Sequence, residues 1–164
     1  MLAVPLGELE EKLAIAKEEM GKPPNIVYSL LKEAVNLVFQ AVNDVKAARE
    51  GGRLLPIRMA CANAWLSVSK ATDALLAAYG LGVPKTSKER MERLWSLAES
   101  NHTIEVFNLP ERFAALEKIL MLDGFYDGVL SYRVVKKQIG KSIRYISDVV
   151  MLILGSAKSK SEGQ

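Results

Sequence analysis

The sequence predicts an all-α protein, an antiparallel up-and-down helical bundle of four to five main helices preceded by a short N-terminal one. Three observations carry this. Apolar residues recur at helical spacing along almost the whole chain, and strand-like alternation is hard to find. The breaks between these stretches are short and hold glycine, proline or small polar residues, the composition of turns. Several breaks end in a residue able to cap the helix that follows.

Taken in order, a first helix is expected from Leu6 to Met20, with Leu9, Leu13 and Ala16 on one face; Gly21-Lys22-Pro23-Pro24 ends it, because proline cannot continue a helix and constrains the residue before it. Asn25 can cap a long helix to about Glu50, whose stripe is Val27, Leu30, Leu31, Ala34, Leu37, Val38, Ala41, Val42 and Val45. Gly51-Gly52 supplies its stop. Pro56 suits the first turn of the next helix, where its missing N–H costs nothing. That helix carries Met59, Ala60, Ala64, Trp65, Val68, Ala71, Leu75 and Ala78 and ends at Tyr79-Gly80; its small residues Ala60, Ala64, Ala71 and Ala74 let a neighbouring helix approach closely. These two helices are expected to form a central hairpin.

After a loop with Gly82 and Pro84, Thr86 to Glu89 reads as a capping box, Glu89 reaching back to the Thr86 amide. The helix it opens carries Met91, Leu94, Trp95 and Ala98 and finishes near Ser100-Asn101. A second box, Asn108 through Glu111, opens a helix with Phe113, Leu116, Leu120 and Phe125. Asp123-Gly124 and Asp127-Gly128 predict a bend or break there. The last helix is expected from Leu130 to Leu154, with Val135, Ile139, Ile143, Ile146, Val150 and Ile153 inward, ended by Gly155. The 164 residues therefore divide into one domain, 1–155, and a polar tail, 156–164, expected to be disordered.

With 49% hydrophobic and 25% charged residues the composition excludes a disordered chain, a collagen-like repeat and a disulfide scaffold. Cys61 is the sole cysteine, so no intrachain disulfide can form and a reducing compartment is the default. The start, Met1 to Gly7 and then Glu8, Glu10 and Glu11, lacks the basic opening and long apolar core of a secretory signal. The apolar stretch Val149 to Leu154 is far short of the ~20 residues a bilayer span requires. A cytoplasmic location without a membrane partner is expected.

Candidate chemistry is sparse. His102 is the only histidine, which excludes a site of several imidazoles; beside Asn101 it reads as a helix C-terminal cation. Cys61, between Ala60 and Ala62, reads as a buried structural thiol. Gly140-Lys141-Ser142 mimics the end of a phosphate-binding loop but has Val135 where the earlier glycine belongs, and it lies inside a helix. Gly80-Leu81-Gly82 lacks the third glycine of a dinucleotide fingerprint. Asp123 and Asp127 could share a cation only on a continuous helix, and a turn is the better reading. No catalytic set, metal site or cofactor is expected.

Charge is more informative by position than in total. The net of +3 divides into −2 over residues 1–50, zero over 51–129 and +5 over 130–164. On the last helix Lys137, Lys141 and Arg144 fall at i, i+4, i+7, with Arg133 and Lys136 beside them. These five are the candidate nucleic-acid-binding residues, and Tyr132 and Tyr145 could stack on bases nearby. The alternative is a solvated helix face.

The run Ala62 to Leu76 (ANAWLSVSKATDALL), followed by Gly80, a loop and a leucine-bearing helix, resembles the HEPN superfamily of small helical bundles. Within that superfamily it resembles the archaeal PaREP-type repetitive proteins. Phe125-Tyr126-Asp127-Gly128 is similar to the aromatic-acid segment before the last helix of that group. The resemblance covers roughly residues 25–150. It implies a bundle that dimerises through helix faces, and RNA cleavage by an arginine and a histidine separated by four to six residues. Here Arg93 and His102 have eight residues between them, and Leu122 stands where the PaREP-type pattern has a histidine. The resemblance therefore implies the fold without the reaction: a non-catalytic binding or interaction module, homodimeric, with an RNA or protein partner. The alternatives are a diverged RNA-processing or toxin-type ribonuclease, and an RNA-binding protein using the basic last helix.

Overall fold

The computed structural model describes residues 5–20, 25–51 and 54–163. Their regular structure is entirely helical. In chain order come α1 (Pro5–Met20), α2 (Ile26–Gly51), α3 (Leu54–Ala78), α4 (Ser87–Ser100), α5 (His102–Val106) and α6 (Leu109–Leu116), then a π-helical segment (Glu117–Tyr126) and α7 (Tyr132–Ser161). The expected stop at Gly21 to Pro24, and Gly52 of the Gly51-Gly52 pair, lie outside the described residues.

α3 is the hub. Its alanines Ala60, Ala64, Ala71 and Ala74 are fully buried, and it packs against α2, α7 and the π segment. Cross-links give the directions. Asn63 donates to Asp44 at 2.7 Å and Lys70 pairs with Glu33 at 3.2 Å, so α2 and α3 form the expected antiparallel hairpin. Thr72 bonds to Tyr145 at 2.7 Å and Tyr79 reaches the Leu152 carbonyl at 3.5 Å, so α3 and α7 run parallel. The π segment runs antiparallel to α3, with Gly124 beside Cys61 and Gly128 beside Arg58, so α2, α3, the π segment and α7 alternate in direction, and α4 and α5 lie in the connection between α3 and α6.

Helix ends follow capping chemistry. The Asn25 carboxamide accepts from the Val27 amide at 3.0 Å and donates to the Met20 carbonyl at 2.8 Å, joining α1 to α2. Thr86 accepts from the Glu89 amide at 3.1 Å, as the box predicts. The return bond lands one residue earlier than expected, on the Lys85 amide at 2.7 Å. The second box does not form. Asn108 sits in the left-handed region at φ 49° with its side chain uncommitted to the cap, and α6 starts instead on Leu109-Pro110. Asn101 both ends α4 and caps the short α5, accepting from the Ile104 amide at 3.3 Å, so His102 opens a helix rather than closing one.

Burial departs from expectation on α3 and α4: Met59 and Trp95 are each 42% exposed, while Leu97 goes inward in place of Trp95. The expected break after Leu120 is a π-helix instead. Its last bond, from the Asp127 amide to the Leu122 carbonyl at 2.9 Å, spans five residues. Gly124 lies so close to α3 that a Cβ would stand 2.5 Å from Cys61 Sγ and 2.9 Å from its Cβ. Gly128, at φ 66°, then turns the chain under the Arg58 guanidinium. Ser131 caps α7 through the Val134 amide. Val135, Ile139, Ile143, Ile146, Val150 and Ile153 are buried as expected. Gly155 does not end α7, and residues expected to form a disordered tail are helical to Ser161.

Candidate nucleic-acid interface

The apolar stripe of α7 fixes which way its charges point. With 3.6 residues per turn, burying that stripe rolls the other side of the helix into solvent. Arg133, Lys137, Lys141 and Arg144 are exposed there and Lys136 is half-buried at the side. From Arg133 to Arg144 the strip runs about 16 Å along the axis. None of the five makes a hydrogen bond or ion pair among the described residues. Asp148, one turn beyond Arg144, is the acid placed to neutralise the strip, but it is taken: Arg112 of α6 holds it at 2.7 Å.

Beside Lys141 and Arg144 lies a groove of about 470 Å³ between α6 and α7. Arg112, Ala115 and Leu116 line it from α6; Gln138, Lys141, Arg144, Ser147 and Asp148 line it from α7. Arg112 is held from three directions, by Asp148, by the Phe107 carbonyl at 3.2 Å and by the face of Tyr145, 5.5 Å from its guanidinium. Ser147 is engaged by Lys12 of α1. The Gln138 side chain makes no hydrogen bond among the described residues, although only 6% of the residue is exposed. A second groove of about 450 Å³, near Tyr79, Thr103 and Ser159, has no charged residue in its lining among the described residues.

The structure thus brings two sequence candidates, Lys141 and Arg144, into the groove, and leaves Arg133, Lys136 and Lys137 on the open strip. It removes one proposed stacking platform. Tyr145 is fully buried, bonded to Thr72, and packed near Phe113, which in turn meets Trp65 at 4.8 Å; burial raises its phenol pKa above the ordinary value. Tyr132 is half-buried against the core. Arg112 and Gln138 were missed. Arg112 is distant in sequence from the strip and carries no spacing signal. Gln138 does carry one, as a polar residue beside Ile139 on the inward side of α7.

The remaining sequence candidates find structural roles. His102 is exposed and bonds to Glu105 at 3.1 Å. Cys61 is buried, which pushes its thiol pKa up to about 11 and keeps it protonated at neutral pH. Asp123 pairs with Lys118. Among the described residues no cluster of three metal-ligating side chains occurs, and no helix is long and apolar enough to cross a membrane. No family model, curated protein or solved structure matches the chain.

Proposed function

We propose that this chain is a non-catalytic binding module that holds single-stranded RNA by its phosphates along α7. The observation that carries this reading is the unpaired state of Arg133, Lys136, Lys137, Lys141 and Arg144, while the nearest acid on their helix is bound to Arg112. Cations without an internal partner have no ion pair to give up on binding, and by neutralising phosphates they release the counterions condensed on the strand. The HEPN-like resemblance favours RNA as the polyanion, and the missing arginine–histidine spacing favours binding without cleavage. A cytoplasmic setting belongs to the same reading.

The test is a titration of purified protein into labelled single-stranded RNA, followed by anisotropy, with the same samples run on a gel. Binding that leaves the RNA whole is the expected result. No binding at low salt would reject the reading, and cleavage abolished by His102→Ala would replace it with a ribonuclease.

Self-association is a second reading, favoured by a separate observation. Leu55, Met59 and Leu66 of α3, at i, i+4 and i+11, are all exposed on one side of the helix, where a second copy could cover them. A dimer mass by light scattering, reduced to monomer by Met59→Glu with Leu66→Glu, is expected. A monomer mass for the unaltered chain at micromolar concentration would reject it.

A further inference from the structure

Polar side chains turned to the interior of this molecule generally have partners. Thr72 bonds to Tyr145, Asp73 to Arg90, Ser67 to the Ala64 carbonyl and Ser142 to the Gln138 carbonyl. Arg58 Nε and Ser69 Oγ are buried without a partner, but neither residue lines the α6–α7 groove. Gln138 does line it: the residue is more than nine-tenths buried, and its carboxamide, whose polar atoms are not sealed from solvent, has no hydrogen-bond partner among the described residues. A primary amide has two donors and an oxygen with two lone pairs, and none of that capacity is used by the described residues.

What surrounds the amide narrows the ligand. Ala115 and Leu116 give the groove an apolar wall from α6. Lys141 and Arg144, three and six residues after Gln138, put two unpaired cations at its edge. Asp148 is neutralised by Arg112, so its charge does not repel an anion there. An apolar wall, a donor–acceptor pair and adjacent cations suit a ring with a hydrogen-bonding edge joined to a phosphate, which is the chemistry of a nucleotide. Because Lys141 and Arg144 belong to both strip and groove, a strand following the strip passes the groove's mouth.

We infer that the groove receives one nucleobase of the bound strand, with the Gln138 amide on its edge, Ala115 and Leu116 against its face, and its phosphate on Lys141 and Arg144. This rests on the reading of α7 as the RNA-binding face and adds a base-dependent contribution to it. Gln138 is then kept polar for the ligand rather than for the fold.

The experiment compares two labelled probes, a dodecamer of RNA and a dodecamer of abasic phosphate spacers, on the unaltered chain, Gln138→Leu and Ala115→Trp. Ala115 is exposed, so the indole fills the groove without entering the core. The unaltered chain is expected to prefer the RNA about tenfold. Either variant should lower its affinity to that of the abasic strand, with the same salt dependence and with thermal melting unchanged or raised. Equal binding of both probes, indifferent to either substitution, would overturn the inference while leaving the strip reading intact. Failure of both probes to bind would remove both. A mononucleotide, 5′-AMP, should displace the RNA where inorganic phosphate does not; displacement by phosphate alone would reject a base site. AMP binding as tightly as the dodecamer would reject a strand as its source.

Discussion

α4 and α7 carry the same kinds of cation and treat them in opposite ways. On α4, Lys88 pairs with Glu92, Arg93 with Glu89, and Arg90 with Asp73 of α3 through two bonds of 2.6 and 3.1 Å. On α7, Arg133, Lys136, Lys137, Lys141 and Arg144 pair with nothing among the described residues, and Asp148, one turn beyond Arg144, is bound to Arg112. The difference teaches that a run of basic residues becomes a candidate binding face only when its counter-charges are absent or spent. Exposed pairs such as Lys88–Glu92 add little, about 0–1 kcal/mol, so the energetic weight on α4 rests on the buried Arg90–Asp73 pair.

The largest effect expected from this contrast is on stability. Arg90→Gln leaves the Asp73 carboxylate, with 5% of its side chain exposed, without its cation and should cost about 3–5 kcal/mol in a urea melt. RNA affinity at permissive temperature should not change. Loss of affinity in a folded Arg90→Gln protein would mean that the two helices are not separable in this way.

A packing defect away from both helices sets the next scale. Gly124→Ala forces a methyl onto Cys61 and should cost about 1–3 kcal/mol, partly recovered when Cys61→Ala removes the sulfur. The salt dependence of RNA binding should be unaffected. Full stability in Gly124→Ala would show that the π segment can move away from α3.

On α7 the pattern should reverse. Replacing Lys137, Lys141 and Arg144 together by Gln should move stability by no more than about 0.5 kcal/mol, since no internal partner is lost. Thermal melting checks this, and a large drop would mean that the strip serves the fold.

The smallest effect is a pH dependence confined to α4. The Lys85 backbone amide, and then Arg93, hold the Glu89 carboxyl below its ordinary value of 4.5. A carboxyl depressed in the folded state contributes stability above its unfolded value, and that contribution is lost as pH falls below 4.5 toward the folded one. Glu89→Gln should therefore lower stability slightly at neutral pH, flatten the acid limb of the profile, and converge with the unaltered chain at low pH, as urea melts across pH would show.

Much of the fold was legible because burial and helical period coincide in α2, α3 and α7. The misreadings occur where local signals compete with tertiary contacts. Gly124 and Gly128 predict a break from propensity, yet both positions are set by close approach to Cys61 and Arg58, which no local pattern contains. Asn108 offers a capping side chain, but its left-handed backbone removes it from that role. Asn101 can end one helix and begin another, and spacing alone shows only the first. The strip on α7 was legible from charge and period together. Its groove was not, because Arg112 arrives from a different helix and the absence of partners is a property of three dimensions. Tyr145 illustrates the reverse error: an aromatic near a basic strip is a stacking platform only if its face reaches solvent.

The most direct measurement is the slope of log affinity against log salt for single-stranded RNA, taken on the unaltered chain and on the Lys137, Lys141 and Arg144 triple Gln variant. Five phosphate contacts should give a slope of about −3.5, so a fourfold rise in salt weakens binding roughly a hundredfold. The variant should lose about 2 from the magnitude of that slope. Equal slopes in the two proteins would contradict the account, because the RNA would then be held somewhere other than α7.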